Sequence, residues 1–299
     1  MLEAIVDAIV PALAILLMTV VGLELQVEDF RRAARQFRLV AIAIMLQLVL
    51  TPLAALAVVA ILHPQPYIAA GIVLVALCPS GGMANFYSYL ARANLALAVT
   101  LTAVSCVLAV FTMPLLFTVF RSQFSEQAAM TVPIPNLIGQ LIVLLILPIL
   151  VGMGVRSRWP GLAMRHGKKL LVLGLVALCT LLTLVIFQQR ERLTSDFFQI
   201  TWAVVLLSAI MIGAGLAISA ICGWGERSGF PVAMVLAVRN VTIAAAVAVT
   251  VLGRVEFAVF ATAYFINQTP LLLLAVGLFR LRRRKDSHPQ EATSLAKAA

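Results

Sequence analysis

The sequence predicts an all-α polytopic membrane protein, with about nine transmembrane helices in two inverted repeats and one broken helix in each. Three observations predict it. First, 63% of the 299 residues are apolar and only 11% are charged, against roughly 45–50% and about 25% in soluble domains. Second, the apolar residues gather into runs near the length of about 20 that a bilayer requires. Third, the basic residues fall almost entirely on alternate loops.

The runs, in order, are 3–25, 38–62, 67–91, 95–120, 134–155, 169–188, 197–221, 230–252 and 256–280. The first opens with Glu3 and Asp7 and has no basic leader, so it reads as a retained span rather than a cleaved signal. The connections are short. His63-Pro64-Gln65-Pro66 and Arg92-Ala93-Asn94 are turns, and Trp159-Pro160-Gly161 sits in the longest basic-face loop, 156–168. Beyond Asp286 the chain is polar, and its composition predicts disorder. The spans and their connections leave no room for a nucleotide-hydrolysing domain.

Orientation follows from Lys and Arg. Arg31, Arg32, Arg35, Arg38, Arg92, Arg156, Arg158, Arg165, Lys168, Lys169, Arg227 and the tail from Arg280 all fall on one face. Arg121, Arg190, Arg192 and Arg254 fall on the other. The basic face is expected in the cytoplasm, which places the C-terminus inside and, with an odd span number, the N-terminus outside. The net charge of +10 is a topology signal here, not a nucleic-acid footprint. Compactness and short loops suggest a bacterial inner membrane. The Arg280–Lys285 cluster reads first as a topology anchor.

Enzyme chemistry has no foothold. There is no GxxxxGK[ST], HExxH or GxSxG, and His63, His166 and His288 are far apart in loops or the tail. No acid lies at a span centre. The cysteines Cys78, Cys106, Cys179 and Cys222 are scattered without a CxxC, so no disulfide framework, metal site or cofactor is expected.

Two segments carry the remaining chemistry. Cys78-Pro79-Ser80-Gly81-Gly82-Met83-Ala84-Asn85 puts a Pro and two Gly inside an apolar run. A helix broken there exposes carbonyls at one end and N–H groups at the other, which suit cations and anions respectively. A packing kink or a glycine contact face is the alternative. Val238-Arg239-Asn240-Val241-Thr242 puts a cation near mid-span, a functional site by default, at a cost of about 3 kcal/mol or more. No intramembrane acid is available to pair with it, and snorkelling from that depth is strained. Asn85 and Asn240 are 155 residues apart. That offset superposes spans 2–4 on spans 7–9 in opposite directions, a pattern of secondary transporters. The first repeat would be 1–121 with four helices and the second 134–282 with five, followed by a tail, 283–299.

At these residues the chain resembles the bile acid:sodium symporter family. The resemblance rests on Gly22 to Phe30 (Gly-Leu-Glu-Leu-Gln-Val-Glu-Asp-Phe), Gln47 to Pro52, Cys78 to Asn85, Tyr89-Leu90-Ala91-Arg92, Leu95 to Thr102, and Arg239-Asn240. It implies two broken helices that cross in a core group (38–120 and 197–280), moving against a panel group (3–25 and 134–188). It implies an organic anion, a small carboxylate or a bile-acid-like molecule, carried with sodium by alternating access. Family members often have ten helices, so the resemblance also implies that this chain starts at the second.

The resemblance further implies which positions hold ions and substrate. Gln47, Asn85 and Thr102 are kept from the sodium sites. Ala84, Ala98, Val235 and Arg239 stand where the family has Ser, Ser, Glu and Gln. Arg239 is therefore expected to replace a sodium ion, leaving sodium-independent transport. The substrate is expected at Gly82, Met83, Asn85, Arg239, Asn240 and Asn267, although Asn267 reads equally as an interhelical hydrogen-bonding residue. Three alternatives stay open: a true sodium symporter using the remaining ligands, an arsenite-type efflux permease with Cys78 as thiolate, and an anion-binding receptor that transports nothing.

Overall fold

The computed structural model describes residues 2–120 and 134–298. The described residues are almost wholly helical, and none lies in a strand. The helices are α1 (Leu2–Glu24), α2 (Val27–Arg35), α3 (Phe37–Leu62), α4 (Pro66–Leu77), α5 (Met83–Leu90), α6 (Leu95–Val119), α7 (Ile134–Arg158), α8 (Pro160–Gln188), α9 (Arg190–Ser195), α10 (Phe197–Ile221), α11 (Gly225–Ala237), α12 (Val241–Thr250) and α13 (Phe257–Ala298).

By length and apolar composition α3, α6, α7, α10 and α13 can each cross a bilayer, and the bent pair α1–α2 makes a sixth candidate. The third and eighth expected spans are each two short helices, α4–α5 and α11–α12. At about 1.5 Å per residue, none of these four reaches across about 30 Å alone. The order long, short, short, long occurs twice, as α3–α6 and α10–α13. The two series interlock: α13 packs on α4, and α11 packs on α5 and α6. α4 and α12 are apolar all round and almost wholly buried, and α11 is apolar and buried from Gly229 onward, after an exposed first turn that carries Glu226 and Arg227. By contrast, α6 and α10 keep Phe111, Leu115, Phe198 and Trp202 exposed, as lipid-facing helices do.

Outside this body α1 packs on α7 and α8. The α1–α7 contact is backbone against backbone. A Cβ at Gly22 would come within 2.3 Å of the Ile149 carbonyl oxygen, and one at Gly152 within 2.3 Å of the Thr19 carbonyl oxygen. Small residues at such crossings let membrane helices approach closely.

Three connections differ from the sequence reading. Residues 26–37 contain α2, which lies at 64° to α1 and packs on α6. Glu28 and Asp29 occupy its first turn and Arg32 and Arg35 its last, the arrangement the helix dipole favours. The Asp29 carboxylate accepts from the Gln26 N–H at 2.8 Å and pairs with Arg32 at 3.0 Å. The expected 156–168 loop shrinks to Trp159, because Pro160 fits the first turn of a helix and starts α8 at once. α13 continues to Ala298 through the tail whose composition predicts disorder.

Candidate functional site

The first break follows from Pro79. A residue before proline is driven out of the α region, and Cys78 is extended (φ −66°, ψ 155°), ending α4. The second break contains neither Pro nor Gly. Val238 is extended there, and Asn240 caps α12, its side-chain oxygen accepting from the Ile243 N–H at 3.2 Å.

The two breaks cross and pair as one antiparallel bridge, Ser80 opposite Arg239. The Gly81 N–H donates to the Val238 carbonyl at 3.0 Å, and the Asn240 N–H to the Pro79 carbonyl at 2.9 Å. The Ser80 N–H donates to Ser105 Oγ at 2.9 Å. Backbone groups that neither helix can satisfy are thus bonded at membrane depth, as hydrocarbon demands. Gly81 is required here: a Cβ would sit 2.8 Å from the Arg239 carbonyl oxygen.

Arg239 is 4% exposed. Its Nη2 donates to the Ala76 carbonyl at 3.0 Å and also to the Cys78 carbonyl. Both carbonyls belong to the C-terminal end of α4, the negative end of its dipole. The guanidinium therefore occupies a place built of carbonyl oxygens. Its Nε and Nη1 have no partner, and neither does Gln47 Oε1. Arg239 and Gln47 line a cavity of about 10 Å³ with Ser105, Ala76, Leu77 and Pro79. That is room for about one water, and far too little for an organic anion. Gln47 Nε2 donates to Ser105 Oγ at 2.6 Å.

The other half-helix end is satisfied by neutral groups. The Ala237 carbonyl accepts from the Tyr264 hydroxyl at 2.5 Å and from Gln268 Nε2 at 2.8 Å, and Gln268 also reaches Ser208 Oγ at 3.3 Å. A Gln and a Ser thus join α3 to α6 behind one break and α10 to α13 behind the other, with the residue types exchanged. Sequence reading missed Ser105, Ser208, Tyr264 and Gln268. The signal near Gln268 fell one residue away, on Asn267, which is half-buried on α13.

At the other position expected to hold an ion, Asn85 Oδ1 accepts from Thr102 Oγ at 3.1 Å, while Asn85 Nδ2 is unpartnered. Ala84, Ala98 and Val235 are buried and supply no side-chain oxygen. Gly82, Met83 and Asn240 lie around the crossing. Asn240 Nδ2 is 3.5 Å from Met18 Sδ of α1, and a Cβ at Gly82 would be 3.6 Å from Val21 of α1. Neighbours in sequence, Arg239 and Asn240 thus reach different partners, α4 with the α3–α6 cavity and α1. Cys78 and Cys106 are buried. No group of three or more His, Cys, Asp or Glu that could hold a metal ion occurs among the described residues.

The sequence model of the Sodium Bile acid symporter family matches residues 10–196. The chain belongs to this family. Among its relatives are an uncharacterized sodium-dependent transporter of Bacillus subtilis, 28% identical over 63% of this chain and 57% of its own, and a probable chloroplastic sodium/metabolite cotransporter of Arabidopsis thaliana, 35% identical over 44% and 31%. The human ileal sodium/bile acid cotransporter is 24% identical over 62% and 51%. The chain spans about half the length of most of these curated relatives. The family match takes in the first broken helix and ends before α10, so it does not extend to Arg239.

Proposed function

We propose that this protein is a secondary transporter of an organic anion in which Arg239 permanently occupies a cation position, so that transport does not require sodium. One observation carries the reading: the guanidinium sits on the freed carbonyls of Ala76 and Cys78 at the end of α4. A released cation can couple to its gradient, whereas a covalently attached one cannot leave in each cycle. Val235, Ala84 and Ala98 support this, since each removes an oxygen that a sodium ion would use. The anion, a small carboxylate or a bile-acid-like molecule, binds on the α1 side of the crossing at Gly82, Met83, Asn85 and Asn240, with Asn267 contributing from α13. Arg239 acts on it as a fixed positive charge behind the crossing, because its own cavity admits only about one water. The α3–α6 and α10–α13 series move as the core group against α1, α7 and α8, with the basic face in the cytoplasm.

A second reading has its own support. The relatives are named as sodium-dependent or sodium cotransporters, and Gln47, Asn85 and Thr102 still offer oxygens. The deciding experiment is the thermal stability of purified protein in sodium chloride against N-methylglucamine chloride, for the wild type and Arg239→Gln. A wild type indifferent to sodium, beside a variant that sodium stabilises, supports the fixed cation. A sodium-specific rise in the wild type overturns it and makes the protein a sodium symporter with a remodelled site.

A further inference from the structure

α12 touches the α1–α7 pair at both of its ends. At its start, Asn240 Nδ2 lies 3.5 Å from Met18 Sδ of α1. At its end, on the face opposite the basic loops, Gln140 Nε2 of α7 donates to the Thr250 carbonyl at 3.1 Å. The Thr250 hydroxyl also meets Gln140 Oε1. These two bonds form a two-point clasp between one residue of α7 and the last residue of α12.

The parts on either side of the clasp differ in rigidity. The far half of α7 is fixed to α1 by the Gly22 and Gly152 contacts. Between that half and Gln140 the helix changes to a π turn, Ile142–Ile146, followed by Pro148. A π turn inserts a residue into the helical register and is frequent at functional sites. The π turn itself still packs on α1, whereas the 134–141 segment beyond it packs on α6. Thr250 is equally equipped to change partners. Its hydroxyl lies 2.8 Å from the Ala246 carbonyl as well as against Gln140, and it has one proton to give. When Gln140 withdraws, that proton stays bonded within α12, and both the Gln140 amide and the Thr250 carbonyl, half-buried as they are, are taken up by water.

We propose that Gln140 and Thr250 form the latch that closes the transport path on the face opposite the basic loops. The inference rests on the reading that α1 and α7 move relative to α12 during transport. α12 is one straight helix of about 15 Å between Asn240 and Thr250. Displacing its Asn240 end from α1 therefore swings the Thr250 end against Gln140. Substrate contact and latch are two ends of one rigid element.

The test uses a chain in which the exposed Cys179 and Cys222 are replaced by alanine and Met83, half-buried at the crossing, is replaced by cysteine. A membrane-impermeant maleimide is added from the latch face, and in a parallel sample from the basic face, of oriented vesicles, with the chain lacking Met83→Cys as background and the latch-face rate as the readout. Gln140→Leu and Thr250→Val should each raise labelling several-fold. The double variant should label no faster than either single one, and Thr250→Ser, which keeps the hydroxyl, should label like its parent. Labelling from both faces that neither variant alters overturns the latch and leaves the transport reading standing. Labelling from the basic face alone in every variant overturns both.

Discussion

Arg239 is buried at the crossing with its guanidinium on the end of α4. Its Nη2 holds two carbonyls that would otherwise be buried and unbonded, and each such loss is worth about 1–3 kcal/mol. Arg239→Met, which keeps much of the volume and loses the donors, is expected to lower stability by about 3 kcal/mol or more, and sodium should restore none of it. Parallel melting curves in sodium and N-methylglucamine check this. Gly81→Ala places a methyl 2.8 Å from the Arg239 carbonyl. An overpacking cost of about 1–3 kcal/mol is expected, as a lower melting temperature without any change in sodium response. Arg239 and the Pro79–Gly82 break were legible in the sequence because each is an anomaly in an apolar run. Gln268 and Tyr264 were not. A polar side chain in a helix declares that it needs a partner, but not that the partner is the Ala237 carbonyl on another helix. One residue of helical rotation separates the buried Gln268 from the half-buried Asn267.

At the scale of elements, the two half-helices α5 and α12 begin at the crossing, and a cap fixes where α12 begins. Asn240→Ala removes that cap and the amide facing α1 together. Asn94 caps α6 in the same way, its side-chain oxygen accepting from the Leu97 N–H at 3.1 Å, but away from the crossing. Each alanine substitution should cost about 1 kcal/mol. Only Asn240→Ala should also abolish anion counterflow in proteoliposomes, and equal loss by both variants would remove Asn240 from the substrate site. α1, α3, α6, α7 and α10 were legible to within a few residues because hydropathy alone defines them, whereas the start of α8 and the end of α13 lie in polar sequence that hydropathy leaves out. α2 was not legible, because its five charged residues resemble a loop until Glu28–Asp29 and Arg32–Arg35 are seen as opposite ends of one dipole. The π turn in α7 left no trace either. Ile142–Ile146 is as apolar as its flanks, and its register is set by what α7 packs against.

For the molecule as a whole, charge bookkeeping separates a fixed cation from a bound one. Among the described residues, the buried charged side chains are Asp29 and Arg239. Asp29 is paired with Arg32 beside the basic face, so in the proposed transport cycle Arg239 is the charge that the core group would carry. On that reading the core group would be nearly neutral with a monoanion bound and would carry about one positive charge when empty. A full crossing by one charge is worth about 2.3 kcal/mol per 100 mV. Anion exchange, in which the core group is loaded in both directions, should therefore be nearly indifferent to membrane potential. Net transport, which needs the empty return, should speed up or slow down with the sign of the potential. Proteoliposomes clamped with potassium and valinomycin measure both modes in one preparation. In Arg239→Gln without sodium the asymmetry should reverse, because the empty core group is then neutral and the loaded one is negative. If exchange and net transport respond equally to potential in the wild type, Arg239 is not the charge that moves.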